Sequence, residues 1–188
     1  MEKIIKKNML LHSCCGPCST TVIFELLKDY DLTIFYYNPN IYPTEEYIKR
    51  KAEQMRLIEE LNKQESANIK VIDAPYDPEN FEAMVETLRK EKEGGARCTV
   101  CFNMRLEKTA KVAKEKGFDL FATTLTVSPH KNAPLINEIG GELSRKYDIE
   151  YLVSDFKKKD GYKKSIEYSK EYNLYRQNYC GCKYSIWF

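Results

Sequence analysis

The sequence has no long apolar run. Its N-terminal segment, Met1-Glu2-Lys3-Ile4-Ile5-Lys6-Lys7, is charged like the head of an export signal, and Leu11-His12-Ser13-Cys14 resembles a lipoprotein cleavage site. The apolar stretch between them is only Met9, Leu10 and Leu11, against the roughly 7–15 residues that a secretory core needs. No other stretch approaches the ~18 apolar residues of a membrane span. The sequence therefore predicts a cytoplasmic protein with no membrane partner. Internal repeats and low-complexity linkers are also missing. Seven cysteines in 188 residues fall well short of the roughly 8–10% that marks a disulfide scaffold. Their number is odd and they lie in tight groups, which reads as a cytosolic metal or redox site.

Net charge is small, +2, but unevenly spread. Residues 151–188 hold eight basic side chains (Lys157, Lys158, Lys159, Lys163, Lys164, Lys170, Arg176, Lys183) and four acidic ones (Asp155, Asp160, Glu167, Glu171), a net of +4. The first 150 residues then carry −2. A basic tail on a slightly acidic body suits a phosphate or nucleic-acid contact, and equally an ordinary solvated lysine surface.

What is present is an alternation of short apolar runs and helical patterns. Strands are predicted at 9–13, 32–37, 69–72, 120–125 and 150–153. Helices are predicted from Cys18 or Ser19 to about Asp29, and over 44–61, 79–92, 98–116 and 132–146, with a final helix from Gly161. Ser19 or Thr20 is the expected N-cap of the first helix and Gly117 the C-cap of the fourth. This order predicts one α/β domain: a doubly wound parallel sheet of about five strands, helices on both faces, and residues 156–188 as a basic, Tyr-rich helical extension packed on it.

The chemistry is concentrated in Leu10-Leu11-His12-Ser13-Cys14-Cys15-Gly16-Pro17-Cys18, where the first strand gives way to the first helix. In an open α/β sheet, ligands sit in the crevice at such strand ends, and a helix N-terminus lowers a thiol pKa. Cys98-x-x-Cys101 puts two sulfurs one helical turn apart. Together the two half-sites offer four thiolates, enough for tetrahedral zinc or an iron–sulfur cluster, and spacing does not choose between them. Cys180-Gly181-Cys182 can close a small strained disulfide or ligate metal. Cys15-x-x-Cys18 alone also fits a thioredoxin-like dithiol.

Other strand ends add polar candidates. Asn40 and Tyr42 follow the second strand; Thr123, Thr124, Thr126, Ser128 and Lys131 follow the fourth. Tyr172, Tyr175, Arg176 and Tyr179 interleave aromatic and basic groups, as a base-stacking surface or a packed amphipathic helix would.

Five segments taken together are similar to the epoxyqueuosine reductase QueH family: Leu11-His12-Ser13-Cys14-Cys15-Gly16-Pro17-Cys18, Tyr37-Asn38-Pro39-Asn40-Ile41, Arg97-Cys98-Thr99-Val100-Cys101, Thr123-Thr124-Leu125-Thr126-Val127-Ser128-Pro129 and Leu174-Tyr175-Arg176-Gln177-Asn178-Tyr179-Cys180-Gly181-Cys182. The resemblance runs over nearly the whole chain. It implies a HUP-like (adenine nucleotide alpha hydrolase-like) fold and the last step of queuosine tRNA modification, in which an epoxide loses its oxygen to become an alkene. It implies a [4Fe–4S] cluster on Cys14, Cys15, Cys98 and Cys101, an additional mononuclear iron, no cobalamin, and a redox-active Cys180–Cys182 disulfide. The partners would be tRNA carrying epoxyqueuosine and an electron donor of unknown identity. Cys18 is left as a ligand of the second metal or a proton donor, with Asp155 and His12 as further proton-donor candidates. Asn40, Tyr42, Thr124, Lys131, Tyr175 and Arg176 are the expected substrate contacts. Two other classes stay open on residue types alone: a zinc-stabilised, non-catalytic RNA-binding module and a thiol–disulfide oxidoreductase.

Overall fold

The computed structural model describes residues 6–65 and 67–186. Residues 1–5, which carry most of the leader-like pattern, lie outside the described residues. No helix among the described residues is long and apolar enough to cross a membrane.

Five parallel strands form one sheet in the order β3-β2-β1-β4-β5, with β1 at Lys7–Ser13, β2 at Tyr30–Tyr36, β3 at Lys70–Asp73, β4 at Leu120–Thr123 and β5 at Glu150–Tyr151. Helices α1 (Gly16–Leu26), α2 (Thr44–Gln64), α3 (Pro78–Met84), α4 (Ala96–Glu115), α5 (Ala133–Tyr147) and α6 (Gly161–Glu171) fill the connections. The order reverses at β1: the chain builds outward through β2 and β3, then returns to lay β4 against the other side of β1. The carboxyl ends of β1 and β4 therefore flank a topological switch point, where such sheets bind ligands.

Successive β1 side chains enter opposite cores, as the period of a strand requires. Leu10 packs with Phe35, Phe121 and the α4/α5 side chains Leu106, Ala110, Ile136 and Leu143. Met9 and Leu11 pack with Val22, Ile23, Leu57, Ile58 and Leu61 from α1 and α2. Phe156, Tyr172 and Leu174 of the C-terminal region belong to this second core, and α6 packs on α1.

Several predicted boundaries shift for local reasons. Helix α1 begins at Gly16, because Pro17 suits a first turn where its missing N–H costs nothing. Ser19 and Thr20 do not cap it; their hydroxyls turn back onto the carbonyls of Gly16 (2.9 Å) and Pro17 (3.0 Å). The helix predicted over 79–92 stops at Met84 and gives only a short 3-10 turn at Glu86–Leu88, since beyond Val85 no apolar stripe holds it to the sheet. The fourth strand ends at Thr123 and continues as a 3-10 turn over Thr124–Val127. Gly117 caps α4 as expected, at φ +72°. The last helix stops at Glu171, with Asn173 at φ +47°, and residues 172–186 cross the surface as a strap.

Candidate functional site

The early start of α1 decides the geometry of the first thiol group. Cys15 becomes the residue before the first turn and makes no capping bond, while Cys18 sits inside that turn. The sulfurs of Cys14, Cys15 and Cys18 lie within 4.8 Å of one another, and those of Cys14 and Cys15 are 3.8 Å apart. The switch point shows in the same place: Cys14 Sγ, after β1, is 3.8 Å from Thr124 Oγ1, after β4. Hydrogen bonds from Cys15 and Cys18 hold the Cys14 thiol well below its ordinary range against the effect of burial, and Lys131 and Arg105 add to this. The same bonds to the Cys14 sulfur push Cys15 up to about 11 and raise Cys18. Of the three, Cys14 is the sulfur whose thiolate form the surroundings favour.

The second group is built on α4 and the strap. Cys98 accepts the Gly94 N–H (3.1 Å), and buried Cys101 lies one turn further along. Cys98, Cys101, Cys180 and Cys182 line one small cavity with Lys131, Arg97, Phe81 and Phe102. Burial raises Cys98 and Cys101, the latter to about 12. All seven cysteines are free thiols.

Arg105 joins the groups. Its side chain is buried, and Nη1 reaches Cys101 Sγ at 3.9 Å, Nη2 donates to Asn38 Oδ1 at 2.7 Å, and Nε donates to His12 Nε2 at 3.3 Å. Among the described residues it has no carboxylate within ion-pair distance. A buried cation needs a compensating anion, and the groups placed to supply it, once deprotonated as metal ligands, are sulfurs. Lys131 is alike in this: it lines both the small cavity and a larger one, and the charges of Cys180, Cys14 and Cys18 hold its ammonium form despite burial. His12 is fully buried, and burial, helped by Arg105, pushes it down to about 3. Its Nε2 lies 3.1 Å from the Tyr37 carbonyl and 3.3 Å from Arg105 Nε, and its Nδ1 3.0 Å from Thr123 Oγ1. His12 contacts Arg105 at the base of the site.

The larger cavity, about 610 Å³, opens beside the first thiol group and is lined by Cys14, Cys18, Cys180, Lys131, Arg176 and Gln177, with Tyr162 and Ser165 of α6 on its rim. The predicted substrate residues divide. Lys131 and Arg176 line this cavity, and Thr124 abuts Cys14. Arg176 is steadied by the Ser165 carbonyl (3.2 Å) and Ser169 Oγ (2.9 Å). Asn40 is buried, and half-exposed Tyr42 braces the strap, its N–H donating to Gly181 O at 2.8 Å. Tyr175 is docked on α2: its hydroxyl donates to the Glu46 carboxylate and Lys49 lies 3.4 Å from its ring centre. Asp155 is not brought to the thiols. It lines a separate groove with Leu26, Tyr30, Ala133 and Phe156, and no cysteine reaches that groove. The alternating aromatic and basic residues of the tail form no helical stacking face either, because Tyr172 enters the core and Tyr179 packs against Arg50.

Sequence reasoning missed the strap's anchor. Glu46, Arg50, Glu53 and Arg56, spaced four, three and three apart, form one stripe on α2. Arg50 donates to the carbonyls of Cys180 (3.1 Å) and Tyr179 (3.2 Å) and to Glu46 (2.7 Å). Glu53 accepts the Tyr175 N–H (2.7 Å), and Arg56 donates to the carbonyls of Tyr172 (3.1 Å) and Asn173 (3.0 Å). The charged stripe is visible in the sequence; its partner is not. Arg105, four residues after Cys101, was likewise visible only as a helical position.

The model of the epoxyqueuosine reductase QueH family matches residues 9–187. The epoxyqueuosine reductase QueH of Staphylococcus aureus is 49% identical over 186 residues, covering 98% of this chain and 78% of that one. The Streptococcus pyogenes relative of the same name is 43% identical (98% and 72% covered), and that of Thermotoga maritima 36% (95% and 90%). A solved structure described as a predicted subunit of tRNA methyltransferase, from Methanocaldococcus jannaschii, superposes with a TM-score of 0.51 at 18% identity, covering 89% of this chain and 75% of that one; this is a likeness of fold, consistent with the HUP-like α/β expectation. With the thiols, the sheet topology and the match over nearly the full chain in agreement, this chain belongs to the epoxyqueuosine reductase QueH family.

Proposed function

We propose that this chain is an epoxyqueuosine reductase: it removes the epoxide oxygen of epoxyqueuosine in tRNA and leaves an alkene, completing queuosine. The observation that carries the reading is the gathering of three thiols after β1, two on α4 and two on the strap around Arg105 and Lys131.

The donor set fits an anionic thiolate-bound centre. It is all sulfur, and it faces two largely buried cations that lack carboxylate partners among the described residues. Cys14, Cys15, Cys98 and Cys101 would hold a [4Fe–4S] cluster, with Cys18 as a ligand of an adjacent iron or as a proton donor; no cobalamin is required. Bound there, the cluster supplies electrons one at a time and the adjacent iron a Lewis acid toward the epoxide oxygen.

The chain's own residues do the rest. Losing the epoxide oxygen as water consumes two electrons and two protons. Oxidation of the Cys180/Cys182 dithiol to a disulfide releases that number of each, and an external donor must then reduce the pair again. Arg105 and Lys131 stabilise negative charge in the site. The modified base has to leave the anticodon stack to reach sulfur at this depth. Lys131 and Arg176 line the cavity it would enter, and Lys163 and Lys164 stand beside its rim residues Tyr162 and Ser165, where RNA phosphates would pass. A tRNA substrate and an all-sulfur donor set support a cytoplasmic location.

The test is anaerobic purification with metal analysis and an assay on epoxyqueuosine-containing tRNA. A brown protein absorbing near ~400 nm, with turnover, is expected. A colourless zinc protein that binds RNA without turnover would overturn the reading in favour of a structural zinc module. A Cys98→Ser variant with full iron content and full activity would remove the ligand assignment.

A further inference from the structure

Gln177 lies on the strap three residues before Cys180. Its Nε2 donates to Cys15 Sγ at 3.0 Å, the hydrogen bond that ties the strap to the first thiol loop among the described residues. The other end of the amide, Oε1, is buried without a hydrogen-bond partner. A buried acceptor left unpaired carries a desolvation cost, so holding the N–H on sulfur outweighs satisfying the carbonyl. Cys15 itself is 1% exposed.

We propose that Gln177 is a positioning residue that tunes the inorganic centre: its amide N–H, donated to the Cys15 sulfur, raises the reduction potential of the metal centre and fixes that sulfur relative to the strap. This rests on the ligand reading above. A hydrogen bond to a ligating sulfur stabilises the more negative, reduced state, and potentials of such centres respond to hydrogen bonds and net charge around the sulfurs. Residue 177 also moves with Cys180, so one strap carries both a sulfur that stores electrons and the donor that sets the potential of the centre receiving them.

The test compares wild type, Gln177→Leu and Gln177→Glu by iron content and by redox titration followed by electron paramagnetic resonance. Leucine removes the donor; glutamate is isosteric and puts an acceptor with negative charge against sulfur. The midpoint should fall from wild type to Leu and again to Glu, at equal iron per chain. An amide that only packed would not produce that order. If the Leu variant does not fold, the isosteric Glu variant carries the comparison. Coincident midpoints at equal iron content would overturn this proposal and leave the ligand reading standing. A wild type that binds no iron would overturn both.

Discussion

The guanidinium of Arg50 donates to the main-chain carbonyl of Cys180 at 3.1 Å, while its Nε holds Glu46 at 2.7 Å. One buried arginine of α2 thus fixes the Cys180-Gly181-Cys182 turn, 130 residues further along the chain. Replacing Arg50 with Met would leave two strap carbonyls unpaired and strip the largely buried Glu46 carboxylate of its cation, with only the Tyr175 hydroxyl still donating to it. The expected cost is about 2–4 kcal/mol, read as a lower Tm, together with faster alkylation of Cys180 and Cys182 in the native protein.

Gly181 is the turn's conformational requirement. Its φ is +113°, and a Cβ there would stand 3.0 Å from Arg50 Nη1 and 3.1 Å from Ile41 Cγ1. Gly181→Ala should therefore destabilise by roughly 1–3 kcal/mol in denaturant melts. It should also lower turnover more than it lowers iron content, because the strap and not the metal-binding thiols is disturbed.

Arg105→Leu removes the buried cation that faces both thiol groups. Without it, Cys14 and Cys101 lose the charge that would compensate them as metal-bound thiolates, and the variant should retain several-fold less iron after anaerobic reconstitution. Arg105→Lys keeps the charge but cannot reach His12, Asn38 and Cys101 at once, so it should fall between the two. Equal iron in all three proteins would contradict this role.

Strap docking should also depend on acidity. Burial raises the Glu53 carboxyl, but hydrogen bonds from Arg56 and the Tyr175 N–H outweigh it and hold the group below its ordinary value. A carboxyl depressed in the folded state stabilises above its unfolded value of about 4.3, and that stability is lost as pH falls through the lower folded value. In urea melts of the metal-free protein, the advantage of wild type over Glu53→Gln should be constant from pH 6 to 8 and shrink below about pH 4.3.

Much of this arrangement is local and was legible without coordinates. The strand–helix alternation gave the parallel sheet and its five strands in order, because burial on two faces imposes apolar runs of strand length. The Cys14-Cys15 loop fell at a strand end for the same reason, and Asn132 and Gly117 marked their helix ends by side-chain and backbone chemistry. The start of α1 was misplaced by two or three residues because Ser19 and Thr20 satisfy carbonyls behind them, a choice that only neighbouring atoms reveal.

What the amino-acid order determined by itself was the set of strands and helices and which residues bear sulfur. The tertiary structure decided which of those residues meet. Periodicity constrains a side chain's face but not its partner, so it could not show that Cys18 joins Cys14 and Cys15, that Asp155 lines a different groove, or that Arg50 and Arg105 reach across 130 and 93 residues to Cys180 and His12. The reversal of strand order at β1 brings the ends of β1 and β4 together, and side-chain hydrogen bonds from α2 then hold the strap beside the thiols gathered there.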